Sequence, residues 1–281
     1  MTLLRSTLFV AVVLLGAPLI HAQASESSIT KQIDKLRSLS DAERPTATIK
    51  LAADISTLPA GLKKVTIADS LAHLVTEGDQ GEQALQAVAD TLSQALTQSP
   101  VPAKTDQPPM PYRDLASLVR YKGVTTTLSD PLLAKAVQVL ANNEADVQKA
   151  DFTLRDFHNK KYTLSQLRGK IVLVNFWEST CPPCRKEMPD LDVIYTHFGS
   201  QLVVLSITDE EAPKVVSLVS QMGYHPPVLF DTDSKVHKLF HVEGIPRNFV
   251  FDAEGKLIAQ SIDECTQRQL LDMLAKAGLH N

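Results

Sequence analysis

Cysteine is scarce in this chain: Cys181, Cys184 and Cys265 are the only three in 281 residues. That scarcity excludes a small disulfide-stapled scaffold. The lack of a second C-x-x-C argues against a four-ligand zinc site. Aromatic residues make up 5%, with a single tryptophan, Trp177. Basic residues are not in excess either. A formal net charge of −4 gives no electrostatic case for binding nucleic acid. Beyond residue 24 no apolar run approaches the length of a membrane span, and no repeat of fixed period stands out.

What is present points to an exported, two-part protein. Arg5 precedes an apolar run from Leu8 to Ile20, and Ala22-Gln23-Ala24 supplies the small residues of a cleavage site. Residues 1–24 therefore read as a signal peptide, cut after Ala24 or, alternatively, after Ala22. An uncleaved N-terminal anchor is the other reading. A hydrophobic content of 44% suffices for ordinary cores in one large or two smaller domains. The mature chain is expected to be soluble in a periplasmic or otherwise extracytoplasmic compartment.

Residues 25–150 read as an all-helical domain. Ile29, Ile33, Leu36 and Leu39 recur at spacings of three and four, as do Leu85, Val88, Leu92 and Leu96. Ser40 with Glu43 suggests a capping box. Residues 99–111 hold five prolines, which prevent helix and favour an extended linker or long loop. No chemistry is visible in this half, which reads as a scaffold or a partner-docking module.

From Asp151 strands alternate with helices. A hairpin is expected around His158-Asn159-Lys160, buried strands at 171–177 and 202–207, and a closing pair of strands about Asp252–Gly255. The stretch IVLVNFWESTCPPCRKEMP, residues 171–189, organises the rest. An apolar β-branched run leads through a short polar turn into Cys181-Pro182-Pro183-Cys184, placing the pair on the first turn of a helix. Orphan N–H groups and the helix dipole favour a thiolate there, and the two prolines fit because early helical positions need no N–H donor. Such a dithiol can exchange with another protein's disulfide. Half a zinc site and a purely structural ring are the bland alternatives. A ring this short removes little chain entropy.

The stretch WESTCPPCRKEMP after an apolar strand resembles the extracytoplasmic thioredoxin-like proteins of the TlpA/ResA type, thiol-disulfide oxidoreductases of the bacterial envelope. The likeness spans residues 151–281, including VEGIPRNFVFDAEGKL, and stops short of residues 25–150. It implies an α/β thioredoxin-like sandwich, a central mixed sheet flanked by helices, following the all-α domain. It implies Cys181 as nucleophile and Cys184 as resolving thiol, forming a redox-active disulfide with no cofactor. Pro246 resembles the cis-proline that faces the cysteines in this fold. A cis bend there would expose the backbone of Ile245 to an extended substrate chain. Glu187, three residues after Cys184, matches the family's acid that handles the buried thiol's proton. Asn175 stands where cytoplasmic thioredoxins carry a buried acid. The implied partners are disulfide-bearing or dithiol proteins and a membrane-bound electron donor. The resemblance favours the reducing direction, including service to cytochrome c maturation.

Several residues keep more than one reading. Trp177, beside the cysteine pair, joins Ile245, Pro246 and Arg247 as the candidate substrate-binding set. Arg247 reads either as a cation facing the thiolate or as a neutral surface residue. Thr180 stands where the family usually has a tryptophan, and Glu178 adds charge to the same turn. Cys265 reads as buried filler, a free thiol or half of an intermolecular bridge. His237 and His241 have metal-compatible i, i+4 spacing, but nothing completes a site. A peroxiredoxin-type thiol peroxidase is the rival enzyme, because FTLRDFHNKKYTLSQLRGK is similar in both families. Against it, Glu178 and Val174 stand where peroxiredoxins place a threonine and a proline. A third reading makes the helical half a primary binding or assembly module.

Overall fold

The computed structural model describes residues 25–280, so the expected signal peptide lies outside the described residues. Six helices come first: α1 (Glu26–Lys35), α2 (Arg44–Ser56), α3 (Leu62–Leu74), α4 (Gly81–Gln98), α5 (Met110–Lys122) and α6 (Pro131–Lys149). Their apolar stripes bury Ile29, Ile33, Leu51, Ile55, Leu71, Val88, Leu92 and Leu115 in one shared core. The proline-rich stretch stays out of helix until Met110, where Pro111 occupies the first turn of α5 and needs no donor. Ser40 and Glu43 bond to one another just before α2, with the Ser40 N–H and hydroxyl both donating to Glu43 Oε2 at 3.2 and 2.6 Å.

The second half opens with an antiparallel hairpin, β1 (Thr153–Arg155) and β2 (Lys161–Thr163). It continues through β3 (Ile171–Phe176), α7 (Pro182–Phe198), β4 (Leu202–Thr208), α8 (Ala212–Met222), β5 (Val228–Phe230) and α9 (Lys235–Leu239). It closes with β6 (Arg247–Phe251), β7 (Leu257–Gln260) and α10 (Gln267–Lys276). The sheet order is β5-β4-β3-β6-β7; β3 runs parallel to β4 and antiparallel to β6. This is a thioredoxin-like α/β sandwich with a mixed sheet.

Strand alternation assigns each side chain of β3 to a face. Ile171, Leu173 and, one residue past the strand, Trp177 pack with residues of α7, α8 and α10. Val172, Val174 and Phe176 pack on the other face with Phe240, Phe249 and Phe251. All six residues of β3 are buried, as the unbroken apolar run requires of a central strand. Each of the five apolar side chains contributes about 1.5–3 kcal/mol by leaving water. Helix α7 runs unbroken through Pro189.

The helical half is tied to the sheet half at several points. Arg113 of α5 donates to Glu243, just before the Ile245–Pro246 bond, at 2.8 Å, and Lys186 of α7 reaches Asp41 at 3.1 Å. The turn after α3 meets the β7–α10 connection: Gly78 N–H donates to Glu264 O at 3.0 Å, and Thr76 Oγ1 lies 3.0 Å from Asp263 Oδ2.

Candidate active site

The sharp exit from β3 delivers Cys181 to the N-cap of α7, with extended backbone (φ −85°, ψ 108°). Pro182 and Pro183 fill the first two helical positions at no hydrogen-bond cost. Cys181 and Cys184 are joined, with S–S 2.05 Å and Cα–Cα 5.3 Å. The Cys184 N–H points at Cys181 Sγ from 3.2 Å, the donor geometry that stabilises negative charge on that sulfur when the bond is open. Cys181 is half-buried and Cys184 is 1% exposed. An incoming sulfur can therefore meet Cys181, while Cys184 faces the protein.

Opposite the disulfide, the Ile245–Pro246 peptide is cis, and Ile245 O lies 3.8 Å from Cys181 Sγ. Pro246 is buried and Ile245 half-buried. A backbone carbonyl beside the Cys181 sulfur is a contact that an extended chain can share.

Glu187 sits one turn behind Cys184 and is 1% exposed. Its carboxylate accepts from Asn175 Nδ2 at 3.1 Å, from Asn248 Nδ2 at 3.0 and 3.1 Å, and from the Cys265 N–H at 2.6 Å. Burial dominates these donors and pushes the carboxyl up to about 8, assisted by the charges of Glu264 and Asp263. A group poised there can hold a proton at neutral pH and still release it. Asn175 and Asn248 face each other directly across β3 and β6. The Asn175 Oδ1 is buried without a hydrogen-bond partner, so a half-turn of that amide would offer a protonated Glu187 an acceptor.

Three sequence expectations need correction. Trp177 does not line a substrate surface. It continues the alternation of β3, is 0% exposed, and packs under α7. Arg247 does not face the cysteines. Its side chain shares the Phe249 face of β6, opposite α7. Its Nη2 donates to Gln260 Oε1 at 2.7 Å, and the guanidinium lies 5.7 Å from the Tyr121 ring and 5.5 Å from the Phe249 ring. It is a bridge to the helical half rather than the cation or surface residue expected. His237 and His241 do not share a helical face. Helix α9 ends at Leu239, and His241 has φ 51°. His237 pairs with Asp231 at 2.7 Å, while His241 meets Asp146 at 3.2 Å.

Cys265 is 3% exposed, and burial pushes its thiol up to about 12. It fits the filler reading, yet its backbone N–H is one of the Glu187 donors. Sequence reasoning missed that donor and Asn248. The signal for Asn248 was available: an amide inside an apolar strand, on the same parity as Val250, whose side chain packs on the α7 face. Near the cysteines Glu178 is pushed up by burial and by the charges of Asp209 and Glu210.

A two-cysteine ring at a helix start, on this fold, defines the class of thiol-disulfide oxidoreductases. Comparison with known proteins agrees. Residues 146–260 match the AhpC/TSA family. The thiol-disulfide oxidoreductase ResA of Bacillus thuringiensis (strain Al Hakam) is 32% identical over 168 residues, 59% of this chain and 94% of that protein. The ResA of Bacillus subtilis (strain 168) is 32% identical over 141 residues, 48% of this chain and 79% of that protein. Among solved structures, the pneumococcal exposed lipoprotein thioredoxin Etrx1 of Streptococcus pneumoniae strain TIGR4 is 29% identical, covers 45% of this chain and 99% of that one, and superposes with a TM-score of 0.42. The chain belongs to the ResA family of thiol-disulfide oxidoreductases, and it is a protein thiol-disulfide oxidoreductase.

Proposed function

We propose that the protein is exported and reduces disulfides of partner proteins outside the cytoplasm through Cys181 and Cys184. The observation that carries this reading is the asymmetric pair: a half-buried Cys181 at a helix start beside a cis-proline loop, with Cys184 buried toward a protonatable carboxyl. In the reduced protein the Cys181 thiolate attacks a partner disulfide. One S–S bond forms, one breaks, and the first partner thiolate leaves. Glu187, ionised, then takes the Cys184 proton. The Cys184 thiolate attacks Cys181 Sγ, and the second partner thiolate leaves and is protonated from solvent. The partner gains two electrons and the protein closes its ring. Ile245 and Pro246 hold the partner backbone against Cys181.

A dithiol donor must then reopen the ring; a membrane-bound electron donor fits an exported chain. Among the described residues no helix is long and apolar enough to cross a membrane. Partners in cytochrome c maturation match the family resemblance, as does the reducing direction. Residues 25–150 serve as a separate helical domain, a scaffold or docking module on the redox domain at 151–281. The test is reduction of insulin disulfides by the whole chain: Cys181→Ser abolishes it. A variant that stays active removes Cys181 as the nucleophile.

A further inference from the structure

Glu187 is satisfied by groups from three elements, and one of them is held by the helical half. Asn175 comes from β3 and Asn248 from β6, both inside the sheet. The Cys265 N–H comes from the connection between β7 and α10. That connection does not stand alone. Glu264 O accepts from the Gly78 N–H at 3.0 Å, and Gln269 Nε2 donates back to Gly78 O at 3.2 Å. Thr76 Oγ1 lies 3.0 Å from Asp263 Oδ2, and Lys122 Nζ donates to Thr76 O at 3.2 Å. Lys186, on the turn of α7 that bears Glu187, meets Glu264 Oε1 at 3.0 Å. Asp263 is 7% and Glu264 4% exposed, so this is an internal seam between the two halves.

We propose that the turn Thr76–Gly78 of the helical half is a positioning element for the Glu187 proton: it fixes the segment Asp263–Cys265, whose amide and carboxylates determine how readily Glu187 ionises. The inference rests on the proposed proton role of Glu187. Its physical basis is distance. A donor 2.6 Å from a buried carboxylate oxygen is strongly stabilising, and it weakens once the segment drifts beyond about 3.2 Å or tilts the N–H out of line. The Gly78 backbone has φ 68°, a left-handed turn that glycine adopts without strain, so the sequence suits this clamp. The groups facing Glu187 are the carboxylates of Asp263 and Glu264, the latter paired with Lys186, together with Cys265 and the buried Tyr224 phenol. Cys184 joins them on the same helix face when reduced. The helical half thereby acts on the reaction without touching the sulfurs.

The experiment follows release of the second thiol from an aromatic model disulfide as a function of pH, on the whole reduced chain. Thr76→Val deletes the Thr76–Asp263 hydrogen bond of the clamp while keeping the shape of the side chain and the backbone of the turn. It is expected to move the midpoint of the Cys184-dependent step upward by on the order of half a pH unit or more. Asp263→Asn removes a facing charge while keeping the shape, and is expected to move it downward by a similar amount. Both shifts vanish in the Glu187→Gln background. A merely structural clamp would lower stability and leave the midpoints in place. Midpoints for both variants that coincide with wild type overturn the inference while leaving the Glu187 reading intact. A Glu187→Gln profile identical to wild type removes the Glu187 reading, and the inference with it.

Discussion

The sharpest prediction concerns Glu187 and stability. Unfolded, the carboxyl ionises near 4.5; folded, burial carries it to about 8. The folded state therefore binds the proton more tightly than the unfolded state. That contribution is complete below 4.5 and is lost as pH rises toward 8. At about 1.4 kcal/mol per pH unit, the loss amounts to roughly 4–5 kcal/mol across that window. Glu187→Gln abolishes the titration. At acid pH the variant is less stable by about 1–3 kcal/mol, because its amide N–H group faces donors from Asn175, Asn248 or Cys265. At pH 8 it equals or exceeds wild type, so the two stability curves cross. Urea unfolding of the oxidised protein at several pH values between 5 and 8 measures this, with Cys181 and Cys184 locked and unable to titrate. Asp263, also pushed up by burial, to about 6, titrates in both proteins, so its own contribution largely cancels and only its coupling to Glu187 stays in the difference. Parallel curves for the two proteins would refute the buried, protonated Glu187.

Two further outcomes check the corrections to the sequence reading. Trp177→Phe leaves a void at a fully buried site and costs about 1–3 kcal/mol in unfolding experiments. Because Trp177 lies under α7, the KM for a protein disulfide stays unchanged; a raised KM would return it to the substrate surface. Arg247→Met removes the contacts to Gln260 and Tyr121, shifting stability by about 1–2 kcal/mol through the lost hydrogen bond and ring contact. The pH dependence of Cys181 alkylation is expected to be the same in both proteins, since the guanidinium sits across the sheet from α7.

The local chemistry was legible because it is written in adjacent residues. Cys181 and Cys184 occupy one helical turn whatever surrounds them, and the apolar run 171–176 could only be a central strand. Pro246 and Glu187 were singled out through the resemblance to the family, with helical spacing placing Glu187 on the Cys184 face. The helices of the first half were equally readable from their stripes. Trp177 and Arg247 were misread for one reason. Adjacency in sequence does not say on which face of a sheet a side chain emerges, and both residues obey the alternation of their strands rather than their nearness to the active site. His241 was misread because α9 stops short of it.

The sequence by itself determined the paired cysteines, the strand that presents them and the largely helical character of residues 25–150. Those follow from interactions within a few residues. Only the tertiary structure decided the environment of Glu187. Its donors come from positions 175, 248 and 265, and the clamp on the last of these from positions 76 and 78. Burial and hydrogen bonding between segments so distant in the chain depend on how layers pack, and no spacing rule along one strand or helix encodes that.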